Sequence, residues 1–230
     1  AVDSLIRAGV IKEDASVLWR VAYNDPFAEA ESVPAAGHTL NVDQLAAVAS
    51  VSESLDSKAF KAHLLHGVTG SGKTEVYVAL IRKVVAEGGS AIFLVPEVAL
   101  TPQTVGRLRS RLTDLGAKVV VWHSHLSAGE RFDAWMAMSL GQARVVVGAR
   151  SAVFAPLPNL RLIVVDEEHE PSFKQGETPM YHGRDVAVMR ASVLGAACVL
   201  GSATPSLETW KNATAGRYVL NSMPKRVDDR

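Results

Sequence analysis

Apolar residues occur along this chain in two kinds of pattern that alternate with each other. Short, largely apolar runs have the length and composition of strands, and they lie at residues 62–66, 91–95, 118–122, 144–147, 161–165 and 197–200. Between them, apolar positions three or four residues apart are typical of helices that bury one face. Strands without a polar face are covered on both sides, and strand–helix alternation favours parallel pairing. The pattern therefore predicts an α/β fold, a mostly parallel sheet with helices on both faces.

The helix predicted at residues 74–87 shows the second pattern clearly. Its apolar face carries Val76, Leu80, Ile81, Val84 and Val85, and Gly88-Gly89 end it. Further helices are predicted to begin at Thr101-Pro102 and at the capping box Ser127–Glu130, and to span residues 185–194 and 206–214. In sheets of this kind ligands bind beyond the carboxyl ends of the strands, so the residues that follow each strand are the candidates for chemistry.

The first forty residues do not continue the alternation. Residues 2–11 place apolar side chains at helical spacing. Residues 24–39 lack periodicity and contain the turn-forming residues Pro26, Pro34 and Gly37. We place the main domain boundary near residue 38: residues 1–14 end a preceding domain, 15–39 are a linker, and 40–230 form the main domain. Since the chain starts at Ala1 without an initiator Met, we expect a piece of a longer protein.

Composition narrows the class of protein. Lysine plus arginine equals aspartate plus glutamate at 24 each, so any contact with nucleic acid has to come from a local patch. The single cysteine, Cys198, excludes a disulfide framework within the chain and a multi-cysteine zinc site, and it fits a reducing cytosol. No apolar run approaches the ~18 residues that cross a bilayer, so we predict a cytoplasmic protein without a membrane partner.

The segment Gly67-Val-Thr-Gly-Ser-Gly-Lys-Thr74 fits the phosphate-loop pattern G-x-x-x-x-G-K-[ST]. It follows a predicted strand and opens a predicted helix, which is the context that the pattern requires. We assign to nucleotide binding Gly67, Thr69, Gly70, Ser71, Gly72, Lys73 and Thr74. Backbone amides and the helix N-terminus would wrap the phosphates of ATP, Lys73 would pair with the β- and γ-phosphates, and Thr74 would offer its hydroxyl to Mg²⁺. The alternative is a glycine-rich turn that binds nothing.

An acidic segment, Asp166-Glu-Glu-His169, follows the apolar run at 161–165. Three adjacent carboxylates repel each other, and a cation relieves the repulsion. We predict that Asp166 holds Mg²⁺, through water, and that Glu167 is the general base for the attacking water. The alternative is a solvated acidic loop after a buried strand.

A third segment, Gly201-Ser-Ala-Thr-Pro205, follows the run at 197–200. We predict that the hydroxyls of Ser202 and Thr204 hydrogen-bond the acidic segment and relay the state of the γ-phosphate. A capped turn explains the same residues.

These three segments, in this order and at this spacing, resemble the first motor lobe of superfamily 2 helicases. Residues 67–77, 95–103, 166–169, 181–185 and 201–209 look like the bacterial family of replication-restart helicases, and the resemblance covers roughly residues 40–220. It implies a RecA-like lobe of an ATP-dependent 3′→5′ DNA helicase, with ATP and Mg²⁺ as cofactors. The stretch before residue 14 is similar, more weakly, to the end of that family's winged-helix domain.

The resemblance also implies partners and further roles. The partners are branched forks and single-stranded DNA, other primosome proteins and single-strand-binding protein, and zinc is expected only in a C-terminal part outside this chain. Lys73, Asp166, Glu167 and His169 take catalytic roles, with Ser202 and Thr204 as couplers. Gln44 takes the role of adenine reader, unless it is an ordinary residue at a helix start.

Residues 170–185 resemble an aromatic-rich loop that senses single-stranded DNA beside the ATP site. Aromatic rings stack on bases and cations meet phosphates, so DNA or coupling roles fall to Phe173, Lys174, Tyr181 and Arg184. Pro179-Met180 stand where some relatives carry tryptophan, and a loop that packs its aromatic rings on its own lobe is the alternative. Helix and loop starts at 101–103 and 148–151 are further candidates for a DNA phosphate.

Three other classes of protein share part of this pattern. A small-molecule P-loop kinase shares residues 67–74 alone, a restriction-enzyme motor subunit shares the motor motifs but not their surroundings, and a DNA-binding fragment need not hydrolyse ATP. No second set of helicase motifs follows. A second lobe supplies an arginine finger worth about 10³–10⁵ in rate in comparable enzymes. We therefore expect the 230-residue chain to bind nucleotide weakly, hydrolyse it slowly and not unwind DNA.

Overall fold

The structure, a computed structural model, describes residues 39–227 together with residues 6, 7 and 10. The strands are β1 (Lys61–Gly67), β2 (Ser90–Leu94), β3 (Lys118–Trp122), β4 (Ala143–Gly148), β5 (Leu160–Val165), β6 (Ala197–Ser202) and β7 (Val219–Met223). The α-helices are α1 (Val42–Ser57), α2 (Lys73–Ala86), α3 (Pro102–Leu112), α4 (Ala128–Ser139), α5 (Gly183–Leu194) and α6 (Leu207–Thr214). The helix predicted at 2–11, the linker at 15–39 and the boundary near residue 38 lie outside the described residues, apart from the single positions named above.

The seven strands form one sheet in the order β3-β4-β2-β5-β6-β1-β7. Every neighbouring pair is parallel. Strands β2 and β6 are buried along their whole length, as continuously apolar strands require. The predicted α/β fold with a parallel sheet is confirmed.

The sheet separates two hydrophobic clusters, because successive side chains of a strand point to opposite faces. On β2, Phe93 belongs to the first cluster, while Ile92 and Leu94 belong to the second. Helices α1, α2 and α3 cover the first cluster, and α4 and α5 cover the second. Helices therefore lie on both faces of the sheet, as predicted.

The predicted helix signals correspond to real helix ends. The apolar face predicted for α2 is buried from Val76 to Val85. Ser127 and Glu130 form the predicted capping box, in which the Glu130 amide donates to Ser127 Oγ at 3.3 Å. The Thr104 amide donates to Thr101 Oγ1 at 3.2 Å, so Thr101 caps α3. No helix among the described residues has the length and apolar character needed to cross a bilayer.

Two elements are not among those predicted. Helix α1 buries a narrow stripe that mixes polar and apolar residues, so its periodicity is weak in the sequence; the buried residues are Gln44, Ala47, Val51, Ser54 and Leu55. Strand β7 lies at the edge of the sheet and alternates buried and exposed positions, with the polar Asn221 at its centre. Neither element has the dense apolar pattern of the central strands.

The strand order decides where the candidate residues meet. Strands β5, β6 and β1 are neighbours, although they lie far apart in the chain. The register pairs His66 of β1 with Ser202 of β6, and Val165 of β5 with Leu200 of β6. The phosphate loop, the acidic segment and Gly201–Pro205 therefore leave the same edge of the sheet side by side.

Candidate nucleotide-binding site

The phosphate loop, residues 67–74, connects β1 to α2. Gly70 and Gly72 have φ angles of 83° and 80°, in the left-handed region that favours glycine. Lys73 Nζ donates to the Gly67 carbonyl at 2.9 Å. Gly72 precedes α2 without a side-chain cap, so the first amides of α2 are available to an anion.

Ser71 provides a test of whether a phosphate group fits this loop. Its hydroxyl is buried and has no hydrogen-bond partner among the described residues. A buried hydroxyl without a partner is costly, and phosphate oxygens would satisfy it. The loop therefore fits the ligand that its sequence predicts.

The acidic segment turns sharply at the end of β5. The Asp166 amide donates to the Leu94 carbonyl at 2.9 Å, which continues the sheet by one residue. Glu167 has a φ of 45°, an uncommon left-handed conformation for a residue other than glycine. Its Oε1 lies 3.7 Å from Lys73 Nζ. The turn thus brings the predicted base to the phosphate loop.

Asp166 lies in an environment that favours a bound cation. Burial, followed by the charge of Glu167, raises the pKa of Asp166 to about 6. Thr74 and Asp166 line one cavity of about 220 Å³. A hydroxyl and a carboxylate oxygen are ligands that Mg²⁺ accepts, so the two residues fit the ion predicted for them.

The expectation that the three adjacent carboxylates share one cation is wrong for Glu168. Its side chain is fully buried on the other side of the turn. It accepts hydrogen bonds from Arg184 Nη1 at 3.1 Å, from the Ser206 amide at 2.7 Å and from the Thr209 hydroxyl at 2.9 Å. Because Arg184 compensates its charge, Glu168 is not part of the metal site.

His169 connects the acidic segment to the loop after β6. Its Nδ1 lies 2.8 Å from Ser202 Oγ, and its Nε2 lies 3.4 Å from Thr204 Oγ1. Glu167 Oε2 is 3.7 Å from the same ring. The contact predicted between the two segments is present, while the coupling role assigned to it stays a prediction.

Gln44 holds the phosphate loop from the side of α1. Its Nε2 donates to the Ser71 carbonyl at 3.1 Å, and its Oε1 accepts from the Asn41 amide at 2.9 Å. The backbone N–H of Gln44 in turn donates to Asn41 Oδ1 at 2.9 Å, which completes a capping box. The side chain is therefore both a helix-start residue and a loop support. Adenine reading stays a prediction.

Two of the residues predicted to contact DNA are enclosed by protein. Phe173 is fully buried in the second cluster, so stacking on a base is wrong for this residue in this structure. Arg184 is 8% exposed and is paired with Glu168, so it does not face a DNA phosphate. Of the two roles considered for Arg184, only coupling is compatible with its position.

The other two predicted DNA residues are accessible to different degrees. Lys174 is exposed. Tyr181 is half-buried, with its ring centroid 5.2 Å from that of Phe154 and 5.8 Å from the Arg150 guanidinium carbon. Arg150 Nη1 also donates to the carbonyls of Ser172 and Lys174, so the loop packs partly on its own lobe.

A polar cavity of about 150 Å³ lies at the carboxyl ends of β2, β3 and β4. It is lined by Glu97, Ser124, Ala149, Arg150, Ser151 and Ser172. The segment 148–151, a candidate for a DNA phosphate, borders this cavity, and its DNA contact stays a prediction.

Sequence reasoning assigned no role at the site to Tyr77 or Gly201, and none to Glu168 as a buried acceptor. Tyr77 is a phenol within an aliphatic buried helix face, and a buried phenol usually has a hydrogen-bond partner. That signal could have identified it. The partner of Glu168 lies 16 residues away, and no local pattern reveals it.

The motifs of this chain also occur in a known protein family. The sequence model of the DEAD/DEAH box helicases matches residues 41–213, three quarters of the chain. The chain belongs to the DEAD/DEAH box helicase family. The match spans all the segments assigned above to the phosphates, the metal and the coupling contacts.

Several individual proteins are similar to this chain over most of its length. The chain is 47% identical over 230 residues to the replication restart protein PriA of Bacillus subtilis. The aligned region covers 100% of this chain and 28% of that protein. It is 50% identical over 190 residues to PriA of Chlamydia trachomatis, covering 82% and 25%. It is 40% identical over 204 residues to PriA of Haemophilus influenzae, covering 89% and 27%. The chain thus spans about a quarter of the length of the curated relatives that it matches.

Among solved structures, the chain resembles a DUF1998 helicase, MrfA, bound to DNA and AMPPNP. The TM-score is 0.58 at 19% identity, with 90% of this chain and 29% of that chain covered. The same helicase bound to DNA gives a TM-score of 0.59 at 17% identity, covering 89% and 30%. At this identity the likeness shows the fold alone.

Proposed function

We propose that this chain is the ATP-binding lobe of an ATP-dependent 3′→5′ DNA helicase that restarts stalled replication forks by primosome assembly. One observation carries the enzymatic part: Lys73 of the phosphate loop, Glu167 and the His169–Ser202 contact meet at one edge of the sheet. The similarity to PriA over the whole chain supports the restart role. Residues 40–230 form the motor lobe in this proposal, after the end of a winged-helix-like domain at 1–14 and a linker at 15–39, and the protein works in the cytoplasm.

The chain's own residues divide the work of hydrolysis. Amides of the phosphate loop and of the first turn of α2 bind the phosphates, and Lys73 neutralises charge on the β- and γ-phosphates. Thr74 and Asp166 would hold Mg²⁺, which would supply further neutralisation of the phosphate charge. Glu167 takes a proton from the attacking water, and its Oε1 lies 3.7 Å from Lys73 Nζ.

DNA enters this proposal at the loop between the acidic segment and α5. Lys174 and Tyr181 remain the candidates for single-stranded DNA, because both have accessible surface. Arg184 and Glu168 join the end of this loop to the acidic turn, and His169, Ser202 and Thr204 join that turn to β6. Branched forks, primosome proteins and single-strand-binding protein are the proposed partners of the longer protein.

The test separates binding from hydrolysis in the 230-residue chain. Binding of a fluorescent ATP analogue and single-turnover hydrolysis, with protein in excess, are measured for wild type and Glu167→Gln, with and without single-stranded DNA. We expect Glu167→Gln to keep nucleotide binding and to lose hydrolysis by about 10²–10⁴-fold, the contribution of a general base. Glu53→Gln is the matched control, since it removes the same charge from an exposed position on α1.

Unchanged turnover in Glu167→Gln removes Glu167 as the base. A wild-type chain that binds DNA but neither binds nor hydrolyses ATP favours the non-catalytic fragment instead. Robust unwinding of tailed duplexes by this chain alone contradicts the expectation that a second lobe is needed.

A further inference from the structure

Tyr77 is a buried phenol directly beneath the proposed metal site. It lies on α2, one turn after Lys73 and Thr74, and its side chain is fully buried. Its hydroxyl donates to Asp166 Oδ1 at 2.9 Å. Its ring packs on Phe93 of β2 with centroids 5.5 Å apart, which fixes the ring from the side. Ring packing and the hydrogen bond to Asp166 together hold the hydroxyl in place.

Gly201 leaves the space that this hydroxyl occupies. A Cβ atom built on Gly201 would lie 1.6 Å from Tyr77 Oη and 2.8 Å from Cζ, closer than real contacts allow. The rigid ring cannot yield as the end of a flexible side chain can, since Phe93 packs against it. Gly201 is thus required by the position of the phenol, not by its own backbone conformation.

The same hydroxyl consequently lies where three segments meet. Tyr77 belongs to the helix that follows the phosphate loop, Asp166 begins the acidic turn, and Gly201 precedes the coupling residues Ser202 and Thr204. The Glu168 amide donates to the Gly201 carbonyl at 3.0 Å, which joins the second and third segments by backbone as well. If any one of the three segments shifts, either the space around the Tyr77 hydroxyl or its contact with Asp166 changes.

We propose that Tyr77 is a positioning residue: its phenolic O–H holds the Asp166 carboxylate in the orientation that binds the divalent cation, and Gly201 keeps the space for that hydroxyl. Asp166 lines a cavity of about 220 Å³ together with Thr74. Outer hydrogen bonds of this kind orient metal-binding carboxylates, and their removal typically lowers metal affinity by about 10–100-fold. The inference rests on the proposed function, because it concerns the Mg²⁺ that accompanies ATP.

The test is the Mg²⁺ dependence of nucleotide binding, measured without turnover. A fluorescent, non-hydrolysable ATP analogue is titrated into the 230-residue chain in EDTA and at increasing Mg²⁺. For Tyr77→Phe, which keeps the ring and removes only the hydroxyl, we expect the Mg²⁺ concentration for half-maximal tightening to rise by about 10–100-fold. Binding in EDTA should stay within about twofold of wild type, because the phosphate loop is intact.

Two comparisons separate positioning through Asp166 from a general structural role. Tyr218→Phe removes a phenolic hydroxyl from a half-buried position away from the site and should leave both titrations unchanged. Asp166→Asn should itself weaken the Mg²⁺ effect, and adding Tyr77→Phe to it should change nothing further, because Tyr77 acts only through that carboxylate.

A wild-type Mg²⁺ dependence in Tyr77→Phe overturns the inference and leaves the proposed function standing. Equal weakening in EDTA and in Mg²⁺ overturns it as well, since the phenol would then support the fold of the whole loop. A wild-type chain whose nucleotide affinity ignores Mg²⁺ overturns the proposed function together with this inference.

Discussion

His63 makes the stability of this lobe depend on pH in a window where most carboxylates are already ionised. It lies in β1, fully buried, between α1 and β7. Its Nδ1 is 3.3 Å from Asn221 Nδ2, a donor, so the neutral ring carries its proton on Nε2 and donates to Ser54 Oγ at 2.9 Å. Protonation of Nδ1 would place two donors face to face.

The magnitude follows from the pKa of His63 in the folded chain. Burial, assisted by the charge of Lys61, lowers this pKa from 6.5 to about 4. Between these values the unfolded chain binds the proton and the folded chain does not, so the free energy of unfolding falls as the pH falls. The stabilisation is complete above pH 6.5 and lost below the folded pKa, a total of about 3 kcal/mol, of which about 2 kcal/mol disappears between pH 7 and pH 5.

The assay is urea unfolding of wild type and His63→Asn at pH 7 and at pH 5. The comparison between variants cancels the groups common to both, including Asp166. We expect wild type to lose about 2 kcal/mol more than His63→Asn on going to pH 5, whatever the initial cost of the substitution. The same pH dependence in both proteins would show that His63 is not held neutral by the fold.

Two further substitutions, one of them with a control, test the contacts behind the site. Arg184→Met leaves the buried carboxylate of Glu168 without its cation, and we expect it to lower the free energy of unfolding by about 3–5 kcal/mol in urea titrations. Asp185→Asn, which removes a largely exposed partner of the same arginine, should cost less than about 1 kcal/mol, and equal costs would refute the importance of burial. Gly201→Ala forces a methyl group against Tyr77, and we expect a loss of about 1–3 kcal/mol by the same measurement; an unchanged unfolding midpoint would mean that the ring moves aside freely.

Local patterns were sufficient to predict the central part of the fold. The strands β1 to β6 and the helices α2 to α6 each carry either an apolar run or a helical stripe with a recognisable cap. The phosphate loop and the acidic turn were also predictable, because each is a contiguous segment whose chemistry is contained in a few adjacent residues. Helix α1 and strand β7 were not, since small and polar residues at the margin of the core produce little periodicity.

The contacts between segments could not be predicted in the same way. Glu168 looked like one more carboxylate of the acidic turn until the start of α5 placed Arg184 beside it. Phe173 looked like a stacking platform, yet the turn after Asp166 directs it into the core. In both cases the direction of a side chain depends on a neighbour that is distant in the sequence, and composition alone does not contain that information.

The strand order has a consequence for how this lobe assembles. Strand β1, which carries the phosphate loop, pairs with β6 and β7, the last two strands of the described chain. A chain that ends before residue 197 would leave β1 without either hydrogen-bonded neighbour. Long-range parallel pairing of this kind is slow, because the intervening chain must be ordered before the pairing contributes. During synthesis the phosphate loop would therefore be made before β6 and β7 and would reach its folded form only after both have been made. Any ligand that requires the folded loop would then stabilise only the completed sheet.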